Sequence, residues 1–146
     1  MSKTVIIMRG LPGSGKSTYA RREHPNAWVV SADYFFVRDG VYRFDATQLG
    51  AAHNMCFRSA MAGCQADCPI IVVDNTNTTR AEYTPYVALA RAFGYAVELV
   101  WVQAPVALCA ARNTHGVPLN VIQNMARRFE EPQRQDPTQT IGESTP

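Results

Sequence analysis

Four apolar runs of strand length punctuate the chain, each closed by a turn-forming or polar residue. Val5-Ile6-Ile7-Met8 gives way to Arg9-Gly10, Ala27 to Val30 to Ser31, Ile70-Ile71-Val72-Val73 to Asp74, and Ala96 to Val102 to a segment containing Pro105. The runs are continuous, not alternating, which is the pattern of strands buried on both faces of a parallel sheet. Helical periodicity fills the intervals. Thr18 to Glu23 continues a glycine-rich turn and is stopped by Pro25. From Ala46 to about Asp67, Leu49, His53, Cys56, Phe57, Ala60, Met61 and Cys64 recur at helical spacing. Arg80 to Phe93 is a third helix with Gly94 as its C-cap, Pro105 opens a short one ending near Arg112, and Leu119 to Glu131 is the last. Tyr34 to Asp45 is an aromatic loop with a turn at Asp39-Gly40. Strand and helix alternate throughout, so the expected fold is α/β: three layers, a four- to five-stranded mainly parallel sheet and helices on both faces. One domain over residues 1–131 is expected. After Pro132 periodicity ends, and residues 132–146 are expected to be a polar, mobile tail.

Composition narrows the class. Hydrophobic residues at 47% against 18% charged exclude a wholly disordered chain. A net charge of +2 means that any nucleic-acid footprint must be local. No apolar run approaches the ~20 residues of a membrane span. Met1 leads straight into a strand without a signal-peptide core, so the expected compartment is cytoplasmic, with no membrane and no obligate protein partner. Cys56, Cys64, Cys68 and Cys109 sit in apolar, helix-like surroundings and are expected as buried free thiols. A two-thiol metal clip at Cys64 and Cys68 lacks a CxxC or His-rich partner.

Gly10-Leu11-Pro12-Gly13-Ser14-Gly15-Lys16-Ser17 matches the phosphate-binding pattern GxxxxGK[ST] in full, with the strand before and the helix after that it requires. Glycines let backbone N–H groups turn inward as an anion nest, and the helix start adds its positive dipole end. Gly10, Pro12, Gly13, Ser14, Gly15, Lys16, Ser17 and Thr18 are therefore expected to hold ATP. Lys16 supplies a point charge to the β/γ phosphates and Ser17 a hydroxyl to Mg²⁺. Of 14 cationic residues only Lys3 and Lys16 are lysine. A strand ending in an acid suits Asp74 as the second metal-side residue, holding Mg²⁺ through water; a capping or turn role before Asn75-Thr76-Asn77 is compatible with it. Asn75 and Asn77 are candidate substrate-binding residues.

Many proteins carry such a loop. A GTPase needs a guanine-reading Asn-Lys-x-Asp segment, which is absent, and large ATPases need more chain. A compact domain with a second acid suits a small-molecule or nucleic-acid kinase. That acid is Asp33, after the second strand, where a doubly wound sheet presents its ligands. A carboxylate there can accept the proton of an attacking hydroxyl, or simply cap a turn. Tyr34, Phe35, Phe36, Tyr42 and Phe44, interleaved with Arg38 and Arg43, make a composition that stacks bases and holds phosphates, or that covers the sheet edge.

The loop GLPGSGKST, Ser31-Ala32-Asp33, Asp74-Asn75-Thr76-Asn77, Ala111-Arg112-Asn113 and Val117-Pro118-Leu119-Asn120-Val121-Ile122 through Met125 together resemble the polynucleotide 5′-hydroxyl kinase branch of P-loop kinases, over roughly residues 3 to 129. The resemblance implies a P-loop kinase fold, Asp33 as general base, and Arg112 at the start of a lid over ATP, so that Lys16, Asp33 and Arg112 form the catalytic set. It also implies ATP and Mg²⁺ as cofactors, and single-stranded or end-exposed nucleic acid as acceptor. This chain departs from it twice. Phe36 stands where the phage representative carries an arginine reading the acceptor phosphate, with Arg38 nearby, and His115 stands before Gly116 where a lid arginine is found. A small-molecule acceptor (nucleoside, sugar or antibiotic) and a non-catalytic ATP-binding module are the alternatives.

Overall fold

The computed structural model describes residues 2–143; Met1 and the last three residues of the expected tail, 144–146, lie outside it. Strand β1 (Thr4–Arg9) leads through the glycine loop into α1 (Lys16–Glu23), then β2 (Trp28–Val30). A 3₁₀ turn, Ala32–Phe36, precedes a small antiparallel hairpin of β3 (Val37–Arg38) and β4 (Val41–Tyr42). Its turn is Asp39-Gly40, both at positive φ, as the sequence pattern anticipates. There follow α2 (Leu49–Gln65), β5 (Ile70–Asp74), α3 (Arg80–Ala92), β6 (Ala96–Gln103), α4 (Val106–Arg112), α5 (Leu119–Arg128) and β7 (Gln139–Glu143).

The main sheet has the order β2-β5-β1-β6-β7, and every pairing in it is parallel. The central strand β1 is apolar on both sides because both sides are covered. Val5 and Ile7 face a core built with Ala52, Cys56, Ala60 and Cys64 of α2 and Tyr83, Tyr86, Val87 and Ala90 of α3. Ile6 and Met8 face the opposite layer with Ala20 of α1, Val72, Val100 and Val102. Leu11, Cys109 and Ile122 form a third cluster that seats α4 and α5 beside the glycine loop. All four cysteines are free thiols, with Cys56, Cys64 and Cys109 buried. Among the described residues no helix is long and apolar enough to cross a membrane.

One expectation needs correction. The segment after Pro132 does not leave the fold: residues 139–143 are the fifth strand, paired in register with Leu99 to Gln103. The segment leading to it is tied down first. Asp136 takes both Arg80 Nε (2.7 Å) and Nη2 (2.8 Å), the Tyr83 hydroxyl (2.7 Å) and the Gln133 backbone N–H (2.8 Å). Gly142 then packs where any β-carbon would meet Tyr19, Val100 and Val102 at 3.0–3.1 Å. Edge position and polar anchoring replace the apolar run that marks the other strands.

Candidate nucleotide and acceptor site

The glycine loop lies across the carboxyl end of β1. Gly13 has φ +83°, and a β-carbon on it would overlap the Cys109 carbonyl oxygen, so the loop packs directly on α4. Gly15, at φ +98°, is the left-handed residue from which α1 starts. Gly10 N–H donates to Thr76 O (3.0 Å) and Ser14 N–H to Leu11 O (3.0 Å), fixing the loop against the segment after β5.

Lys16 is nearly buried and its ammonium donates to Leu11 O at 3.0 Å. Burial pushes it down from the usual lysine value, while the charges of Asp74 and Asp33 hold it up. Ser17 Oγ donates to Asp74 Oδ2 at 2.6 Å, so the two residues expected on the metal side meet directly. A hydroxyl and a carboxylate side by side are the hard oxygen donors that Mg²⁺ takes. The Ser14 hydroxyl is buried with no hydrogen-bond partner among the described residues, a spare polar group inside the loop.

Asp33 sits on the 3₁₀ turn after β2, half exposed. The turn is held by Asp33 N–H donating to Ser31 Oγ (3.2 Å) and by Ala32 N–H donating to Asn75 Oδ1 (2.9 Å). Asn75 therefore couples this turn to the end of β5. Asn77 lines the same cleft, but it is buried at φ +46° with its amide donating to Met8 O (2.8 Å).

One cleft of about 1370 Å³ joins these groups. It is lined by Pro12, Gly13, Gly15, Lys16, Ser17 and Thr18, then Asp74, Asn75 and Asn77, then Asp33. Arg112 lines it from the end of α4, with the loop 113–118 beyond. Arg38 does not line it: the hairpin carries that side chain away, exposed, opposite Val41. The aromatic loop divides between its two readings. Phe36 is buried in a ring cluster with Phe35, Tyr42 and Phe44, and Phe36, Tyr42 and the exposed Phe44 all line the cleft. Arg21 and Arg128 also line the cleft. Arg21 lies four residues after Ser17 on α1, hence on the same helix face, a signal that could have flagged it. Arg128 Nε donates to Thr78 Oγ1 (3.2 Å).

A parallel sheet with this strand order, a complete phosphate loop and an acid at the neighbouring strand end define a P-loop kinase-like domain with a nucleotide-type site. The chain belongs to the AAA domain family, which matches residues 5–132. It is 36% identical over 134 residues to NEDD4-binding protein 2 of Homo sapiens, covering 86% of this chain and 8% of that protein. The chain thus spans a small part of that relative's length. Among solved structures, a chain of the Pnkp1/Rnl/Hen1 RNA repair complex superposes with a TM-score of 0.71 at 20% identity, covering 88% of this chain and 44% of that one. An unliganded sugar kinase from Janibacter sp. HTCC2649 superposes with a TM-score of 0.65 at 17% identity, covering 98% and 86%. At such identities these structures share the fold.

Proposed function

We propose that this domain is an ATP- and Mg²⁺-dependent phosphotransferase acting on a hydroxyl, with the 5′-hydroxyl of a single-stranded or end-exposed oligo- or polynucleotide as acceptor. The observation that carries the reading is the single cleft running from Lys16 and Ser17, past Asp74, to Asp33. The residues present fit the nucleotide and the metal: a left-handed glycine loop at a helix start, a buried Ser14 hydroxyl without a partner among the described residues, and the Ser17–Asp74 oxygen pair. When bound, Mg²⁺·ATP supplies the phosphoryl group and departs as ADP.

The chain's own residues do the rest. Loop N–H groups and Lys16 hold the phosphates, and Ser17 with Asp74 orients the metal side. Asp33 accepts the proton as the acceptor oxygen bonds to phosphorus and the bond to the leaving oxygen breaks. Arg112, which also lines the cleft, offsets charge on the transferring group. Phe44, His53 and Phe57 also line the cleft and offer rings on which a base can stack. Asn75 and Asn77 line it as well. The RNA repair complex among the fold's neighbours agrees with a nucleic-acid acceptor.

A second reading, a small-molecule hydroxyl, is favoured by one observation: Phe36 lines the cleft as an uncharged ring and Arg38 lies off it, so neither supplies a cation for an acceptor phosphate. The test is transfer of label from γ-labelled ATP to 5′-hydroxyl oligonucleotides, nucleosides and sugars, with Lys16→Ala as control. Labelling of oligonucleotides that falls about 10²–10³-fold in Lys16→Ala is expected. Labelling of nucleosides or sugars alone would move the acceptor to the second reading, and labelling of nothing would contradict both.

A further inference from the structure

Two aromatic residues from separate segments of the cleft lining meet at Asp33. Tyr42 comes from β4 of the hairpin, and His115 from the loop between α4 and α5. Their rings stack at 4.0 Å between centroids and 13° between planes. Both reach the same carboxylate: the Tyr42 hydroxyl donates to Asp33 Oδ1 at 3.3 Å, and His115 Nδ1 stands 3.6 Å from Asp33 Oδ2. The loop that offers His115 is itself braced, with the Asn113 amide donating to Val117 O (2.6 Å) and the His115 N–H to Asn113 Oδ1 (3.1 Å).

We propose that Tyr42 is a positioning residue for Asp33, and that His115 acts through its ring, holding Tyr42 in place from the loop between α4 and α5. The inference rests on the reading of Asp33 as the base. A half-exposed aspartate on a short turn has free rotation about its side-chain bonds; a donor fixed to one oxygen removes that freedom and turns the other oxygen to the cleft. Tyr42 is suited to this because it stays a donor: burial first, then Asp33, pushes its hydroxyl up to about 12. Oδ2 remains usable, since 3.6 Å exceeds hydrogen-bond length and leaves its lone pairs open to an acceptor hydroxyl. The part assigned to His115 is its stack on Tyr42, and His115→Phe separates that from the ion pair its Nδ1 stands close enough to make with Asp33. Lys16, Tyr34 and Cys56 also feel the charge of Asp33, and the hydrogen bonds described for Lys16 and Cys56 go to Leu11 and Asn75.

The experiment compares Tyr42→Phe, His115→Phe and His115→Ala in transfer to a 5′-hydroxyl oligonucleotide, with hydrogen exchange on each protein. Tyr42→Phe keeps the stack and loses the donor; kcat should fall about tenfold, the worth of one hydrogen bond, with KM for both substrates and melting temperature held. In an Asp33→Asn background that loss should vanish, because Tyr42 acts only through Asp33. His115→Phe should keep wild-type kcat, whereas His115→Ala should lose as much as Tyr42→Phe and speed exchange in residues 37–42. Wild-type kcat in Tyr42→Phe, a tenfold loss that persists in the Asp33→Asn background, or a loss in His115→Phe equal to that in His115→Ala would each overturn the proposal. If the wild type phosphorylates no hydroxyl, the function proposed above fails. The exchange measurement then decides the stack alone: unchanged exchange at 37–42 in His115→Ala overturns it.

Discussion

Arg9→Met tests how the site is anchored. Arg9 ends β1 with a side chain at 0% exposure. Nε donates to Asn77 O (2.9 Å), Nη1 to Gln139 Oε1 (2.7 Å), and Nη2 to Thr78 O (3.2 Å) and Glu130 O (2.6 Å). The guanidinium lies 4.7 Å from the Tyr83 ring centroid and 4.6 Å from that of Phe129. One cation thus joins the segment after β5, the segment after α5 and the first residue of β7. Methionine keeps the stem and its contact with both rings but removes every donor. The carbonyl of the buried Asn77 loses its partner, at about 1–3 kcal/mol, whereas the Thr78 carbonyl keeps the Glu130 backbone N–H at 2.8 Å. Glu130 is exposed and its carbonyl can turn to water. Relief of burying the cation, whose desolvation already lowers the arginine from its usual value, offsets part of the loss. The net expectation is a loss of about 1–3 kcal/mol in urea unfolding, with ATP affinity reduced because the Asn77 segment abuts the phosphate loop. A change under about 1 kcal/mol, or a gain in stability, would refute the anchoring argument.

Two further outcomes follow from the geometry. Gly13→Ala drives a β-carbon into the Cys109 carbonyl oxygen at φ +83°, so loop or α4 must shift; calorimetry should show ATP affinity reduced at least about tenfold, and the stability loss should be about 1–3 kcal/mol. Arg80 holds the Asp136 carboxyl well below the usual carboxylate range, so the pair's contribution is complete above about pH 4 and is lost as pH falls below it. Asp136→Asn should therefore flatten the acid side of a stability–pH profile measured by thermal melting, and leave the contrast between wild type and variant largest near neutral pH.

The strands of the central sheet were legible because burial on both faces demands continuous apolar runs. The phosphate loop was legible because its chemistry fixes residue types at fixed spacing. What escaped depends on distant partners. Arg9 reads as the polar end of a strand; its hydrogen-bond partners lie 68 to 130 residues away. Strand β7 carries Gln139, Thr140 and Glu143 and one buried residue, Gly142, so it has no apolar signature; Asp136 and Gln139 hold it through side chains on other elements. Asn77 reads as an available amide, yet its left-handed backbone turns that amide onto Met8 O. The position of Arg38 was fixed by the Asp39-Gly40 turn, which was visible, but the hairpin's aim relative to the cleft is set by Phe36 packing and was not. The meeting of Tyr42 and His115 at Asp33 joins three separate segments, and no local pattern announces it.

The central claim, that Asp33 serves proton transfer in the cleft that binds nucleotide, is tested most directly by Asp33→Asn with two readings on one preparation. Asparagine keeps size and hydrogen bonding but cannot take the proton, and the residue stands half exposed at a turn, outside the core. ATP affinity by titration should match the wild type, and phosphate transfer to a 5′-hydroxyl oligonucleotide should fall about 10²–10⁴-fold. Transfer at the wild-type rate would contradict the account and leave Asp33 as a turn residue.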